Sequence, residues 1–93
     1  MKIKLYQLPM GNKKIFLSYA YIKEEMKEEI ILSEYELVYD GEIEGSNLED
    51  VFFAFNVNHP EGYTGRSMSV SDIVEINGTY YFCDAFGFKK LHF

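Results

Sequence analysis

Asn77-Gly78 constrains this chain more than any other pair of residues. A two-residue Asn-Gly linker between apolar segments favours a type I′ hairpin, because both central residues must take positive φ. Such a turn also fixes register. Ile76 then faces Thr79, Val74 faces Tyr81, Asp72 faces Cys83 and Ser71 faces Asp84. Val70 to Ile76 and Thr79 to Cys83 are therefore read as paired antiparallel strands. Gly87 breaks the second, and Phe88 to Phe93 offers one more short strand.

Two further segments alternate in the manner of half-buried strands. Lys2-Ile3-Lys4-Leu5-Tyr6 is the first, ended by Pro9, Gly11 and Asn12. In Glu34–Tyr39 the residues Tyr35, Leu37 and Tyr39 share one face, and Asp40-Gly41 reads as a turn or bend. Ser46-Asn47-Leu48-Glu49 fits a capping box, with Ser46 as N-cap and Glu49 at N3. Leu48, Val51, Phe52 and Phe55 then form one apolar stripe, which predicts a helix over 47–56. Asn58-His59-Pro60 stops it. A weaker helix follows Ser18, with Tyr19, Ile22 and Met26 on one face and the like-charge pairs Glu24–Glu28 and Glu25–Glu29 opposing its extension. The expected architecture is α+β: one domain over 1–93, a small mostly antiparallel sheet of about four or five strands, and two helices on one face.

A domain this small needs bulky side chains to fill a core, and 8 Tyr with 8 Phe supply them. No apolar run approaches the length of a membrane span, so no membrane contact is expected. The alternating MKIKLY start lacks the apolar core of a signal peptide. Cys83 is the single cysteine and has no internal partner, which suits a reducing, cytoplasmic setting.

Charge is unevenly spread. Residues 1–23 hold five lysines and no acid, whereas residues 24–50 hold eleven acids and one base. With a net charge of −6 the chain is a poor candidate for neutralising phosphates, so no direct nucleic-acid contact is expected. Such an acidic face serves first as a solvated surface that keeps a protein soluble, and it can instead steer towards a basic partner, such as a nucleic-acid-binding protein. Glu24, Glu25, Glu28 and Glu29 are the candidate contacts in that segment. The exposed edge of the 34–39 strand could pair with a second copy to give a homodimer.

Catalytic signals are weak. Cys83 with His59 or His92 would make a thiol–base pair, but Cys83 sits mid-strand among aromatics, where a cysteine behaves as a small hydrophobe. One cysteine and two separated histidines give no metal-ligand spacing. No phosphate-binding glycine motif is present, and no cofactor is expected. The segment Gly65-Arg66-Ser67-Met68-Ser69-Val70-Ser71-Asp72 concentrates polar groups between a loop and a strand. Its hydroxyls and Asp72 can satisfy loop backbone groups. Read functionally, Ser67, Ser69 and Ser71 line one face of an extended chain and, with Tyr63, Arg66 and Asp72, form a partner-binding surface near Phe86-Gly87-Phe88.

Residues 35–93 resemble the YodL-like family, small domains of Gram-positive bacteria, their phages and conjugative elements. The resemblance rests on Tyr39-Asp40-Gly41-Glu42, Ser67-Met68-Ser69-Val70-Ser71-Asp72, Tyr80-Tyr81, Cys83-Asp84 and Phe86-Gly87-Phe88. Arg66 and Ala85 stand where the family usually carries His and Ser, and an Arg cannot serve as a general base. The resemblance implies an accessory domain carried by mobile elements, of a kind associated with countering host defences. Together with the acidic segment, the expectation is a non-enzymatic protein-binding protein of a phage or mobile element that counters a host defence nuclease through an acidic surface. Two other readings stand beside it. One is a regulator that binds a host cytoskeletal or cell-division protein through aromatics. The other is an enzyme using the serine-rich 66–72 segment.

Overall fold

The computed structural model describes residues 1–93 and contains a five-stranded antiparallel sheet. The strands are β1 (Lys2–Gln7), β2 (Glu36–Glu42), β3 (Ile73–Ile76), β4 (Thr79–Cys83) and β5 (Phe88–Leu91). Their order across the sheet is β2-β1-β3-β4-β5. One helix, α1 (Leu48–Asn56), and a short π-helical turn, Tyr21–Glu25, complete the regular elements, with a 3-10 turn at Leu32–Glu34. No helix is long and apolar enough to cross a membrane.

The Asn77-Gly78 turn forms as expected, with φ of 51° and 80°. Ile76 pairs with Thr79 and Val74 with Tyr81. Register changes at the far end of the hairpin. Ser71 N–H donates to the Cys83 carbonyl (2.8 Å), and Cys83 N–H donates to the Asp72 carbonyl (2.7 Å). Ser71 and Asp72 therefore both oppose Cys83, so Ser71 does not face Asp84. This is a β-bulge whose first residue is left-handed, at φ 87°. Asp72 N–H also reaches back to the Ser69 carbonyl (3.1 Å), closing a turn over Ser69–Asp72. The strand predicted from Val70 consequently begins only at Ile73.

A second bulge lies in β2. Leu5 pairs with Tyr39 but Tyr6 pairs with Leu37, which leaves Val38 as the extra residue. The predicted alternation of Tyr35, Leu37 and Tyr39 is broken there. Leu37 faces solvent, Val38 and Tyr39 lean on the core, and Tyr35 lies before the strand. Asp40-Gly41 is not a turn. Gly41 pairs with Ile3 inside β2.

The α+β class and the two helical segments match the sequence reading, but the helices do not share a face. Val51 and Phe55 of α1 cover Ile3, Leu5, Val74 and Cys83. Ile22 of the π-helical turn, with Tyr19 and Met26 beside it, covers Ile73, Phe82 and Leu91 on the opposite side. Both faces of β3 and β4 are apolar, so each needs a cover. The cap of α1 is displaced by one residue. Asn47, not Ser46, is the N-cap, and its Oδ1 accepts the Asp50 N–H (2.9 Å), while the Asp50 carboxylate accepts the Ser46 N–H (2.8 Å). The other helix ends early because Lys27 turns left-handed at φ 56°, and Glu28 N–H caps the Ile22 carbonyl (3.0 Å). Ser18 does cap its start, accepting the Tyr21 N–H (3.2 Å).

Candidate functional site

The serine-rich segment folds inward. Asp72 is fully buried, and one of its carboxylate oxygens accepts both the Ser69 N–H (3.0 Å) and Gln7 Nε2 (3.0 Å). The other lies 3.8 Å from Arg66 Nη2, too long for a hydrogen bond. Burial raises the Asp72 pKa to about 6, against the lowering effects of the Ser69 N–H, Gln7 and Arg66. Arg66 donates to the Leu8 carbonyl (2.7 Å), and its guanidinium sits 5.6 Å from the centre of the Phe16 ring. Buried Ser71 accepts the Phe16 N–H on its hydroxyl (3.0 Å) and the Tyr35 hydroxyl on its carbonyl (2.7 Å). Tyr63 donates to the Arg66 carbonyl (2.6 Å) and sets its ring edge-on to Phe55, 5.0 Å away.

These groups tie β1, the 9–17 loop and the 63–72 loop to one another. Ser67, Ser69 and Ser71 do not share a face. Ser67 is exposed, Ser69 is half-buried and Ser71 is enclosed, because the turn and the bulge rotate the chain between them. Of the predicted surface, Asp72 is buried, Tyr63, Arg66 and Ser69 are half-buried with polar atoms bonded within the fold, and Ser67 is exposed. Cys83 is also interior, and burial with Asp72 and Asp84 nearby pushes its thiol up to about 12. Such a thiol stays protonated near neutrality and is a poor nucleophile.

Half of the predicted acidic contact is compensated internally. Lys13 pairs with Glu28. The buried Lys14 ammonium reaches Glu34 (2.8 Å), Glu28 (3.6 Å) and the Glu29 carbonyl (2.8 Å). Lys23 pairs with Glu29 (2.6 Å). The lysine-rich first segment thus folds back over Glu28, Glu29 and Glu34, while Glu24 and Glu25 remain exposed without an ion pair. Uncompensated charge collects elsewhere. Glu42, Glu44, Asp50 and Glu61 line a hollow of about 700 Å3 with Tyr39, Phe53 and His59, and no Lys or Arg borders it.

On the other side of α1 lies a second concavity, of about 480 Å3. Its walls come from Glu49 and Phe52 of α1, from Met68, Ser69 and Val70, and from Cys83, Asp84, Ala85, Gly87 and Phe88. The two motif stretches noted in the sequence meet here. Met68 and Cys83 belong to the core cluster, so the floor of this groove is the core itself. Phe86 stands at its edge, 97% exposed, on a turn that Gly87 makes with φ 72° and that the Asp84 N–H closes to the Gly87 carbonyl (2.9 Å).

Between the two concavities α1 shows solvent an apolar ridge: Phe52 at 44%, Phe53 at 54% and, just past its end, Val57 at 69% exposure. The spacing of Leu48, Val51, Phe52 and Phe55 places Phe52 in the core stripe and gives Phe53 no role. The uninterrupted run Val51-Phe52-Phe53-Ala54-Phe55 was the available signal, because a nine-residue helix cannot bury apolar groups on all sides against one sheet.

Comparison with curated proteins and with solved structures gives no match. The family model of the YodL-like domain matches residues 2–93, extending the resemblance seen over 35–93 to β1 and the helical turn that follows it. The chain therefore belongs to the YodL-like family.

Proposed function

We propose that this domain is a protein-binding module without catalysis of its own, and that its contact face is the outward side of α1 with the hollows on either side. The exposed ridge Phe52, Phe53 and Val57 carries the reading. Exposed aromatics set between concave surfaces are the anchors of protein interfaces, and solvent contact costs them free energy until a partner covers them. The acidic hollow at Glu42, Glu44, Asp50 and Glu61 favours a partner with basic groups. A host defence nuclease has such groups in its nucleic-acid groove, and that partner class, met by a phage or mobile element, is the version we favour.

Affinity purification from host lysate tests it, run at low and high salt with the wild type, Phe53→Ser and a Glu44→Lys/Glu61→Lys double variant. The expected result is a partner captured by the wild type, lost with Phe53→Ser, and weakened by either high salt or the charge reversal. Capture that survives Phe53→Ser refutes the contact face. The exposed ridge also supports a contact made by aromatics alone, as with a cytoskeletal or cell-division protein. Salt-independent capture that still needs Phe53 would select that version.

A further inference from the structure

We propose that the groove beside α1 receives one large apolar side chain from a partner segment that carries Lys or Arg on both sides of it. The inference rests on the protein-binding reading above and assigns the chemistry of the segment that binds.

Phe52, Val70, Ala85 and Phe88 give the groove apolar walls, and its floor is continuous with the core. An apolar group entering it leaves water on the side that meets these walls and the floor. The charges around it have one sign. Glu49 and Asp84 lie on its rim, no basic residue lines it, and the acidic hollow continues the same sign across α1. Asp84 is held in place, its carboxylate accepting the Tyr19 N–H (3.2 Å) and the Ala85 N–H (2.9 Å). Glu49 is exposed in the first turn of α1 with no ion-pair partner. An acidic flanking segment would place like charges together. A purely apolar one would leave the Glu49 carboxylate facing uncharged groups. Lys or Arg beside the apolar anchor satisfies the rim without reaching into the groove.

Three short synthetic peptides test this by titration into isotope-labelled protein followed by NMR: Lys-Lys-Phe-Lys-Lys, Lys-Lys-Ser-Lys-Lys and Ser-Ser-Phe-Ser-Ser. The first should bind at least tenfold more tightly than either control. Its shifts should centre on Val70, Ala85 and Phe88. Ala85→Trp, which places a ring over the groove from an exposed position, should abolish that binding while the remaining spectrum keeps its native dispersion. Glu49→Lys should weaken it severalfold at low salt. Equal affinity for the first two peptides, no binding of any peptide, or shifts centred on the Glu42–Glu61 hollow would each overturn the proposal. Its failure is separable from that of the module reading. If Ala85→Trp keeps the lysate partner and Phe53→Ser loses it, the groove inference falls and the contact face stands.

Discussion

Replacing Asp72 by Asn should change how stability depends on pH, with a sign opposite to that of most carboxylates. Asp72 is enclosed, and its folded pKa is about 6 against an ordinary 3.8. A raised pKa means that the folded state holds the proton more tightly than the unfolded chain. The stability it contributes is fully present below about pH 4 and is lost as pH rises through about 6. Two units at about 1.4 kcal/mol each amount to roughly 3 kcal/mol, a large share of what a small domain possesses. Asn keeps an oxygen for the Ser69 N–H and Gln7 and is neutral throughout. The assay is urea unfolding of both proteins at intervals between about pH 4 and about pH 8. Wild-type stability minus that of Asp72→Asn should fall by about 2–3 kcal/mol across this range. Other carboxylates titrate in both proteins and cancel in the difference. A difference that stays flat or grows with pH would refute the reasoning, because it would mean that Arg66, 3.8 Å away, fully compensates the charge.

Three other outcomes follow from the same geometry. Ser71→Ala should cost about 1–3 kcal/mol, because it strands the Phe16 N–H, whereas Ser71→Gly should cost less, because it relaxes the positive φ while losing the same acceptor; urea midpoints separate the two. Phe55→Ala should cost about 3–5 kcal/mol and Phe86→Ser less than about 0.5 kcal/mol, read from thermal unfolding, since one ring is enclosed by the core and the other stands in solvent. Cys83 should resist iodoacetamide in the native protein and react at the rate of unfolding, and rapid native-state labelling would contradict both its burial and its raised pKa.

Local signals in the sequence were strong where one short stretch decides the outcome. Asn77-Gly78 specified its turn type and the pairing of Val74 with Tyr81, and the apolar spacing from Leu48 located α1 to within a residue. Bulges were not legible. Val38 looks like any strand residue, and Ser71 adopts a backbone conformation that the sequence would have marked clearly only with a glycine. Nor could the charge count along the chain foretell that Lys13, Lys14 and Lys23 would fold back onto Glu28, Glu29 and Glu34. In the serine-rich segment Arg66, Ser71 and Asp72 hold loops together, which the spacing of its hydroxyls does not reveal. The face we assign to a partner depends on Phe52 and Phe53 being left outside. That follows from which side of α1 meets the sheet, and Val51 and Phe55 decide it.

The order β2-β1-β3 has a consequence for how the molecule is made. Of the five strands, the first to be synthesised is completed on one side only by a strand from much later in the sequence, since Leu5 pairs with Val74. While the ribosome is still adding the middle of the protein, Lys2–Gln7 can join Glu36–Glu42 but offers an open flank to any passing strand. Closing that flank spans a long loop, and pairing over such a sequence separation is slow and leaves an edge open to mispairing meanwhile. The hairpin at Asn77-Gly78, which needs no distant partner, stands ready to end that interval as soon as it emerges.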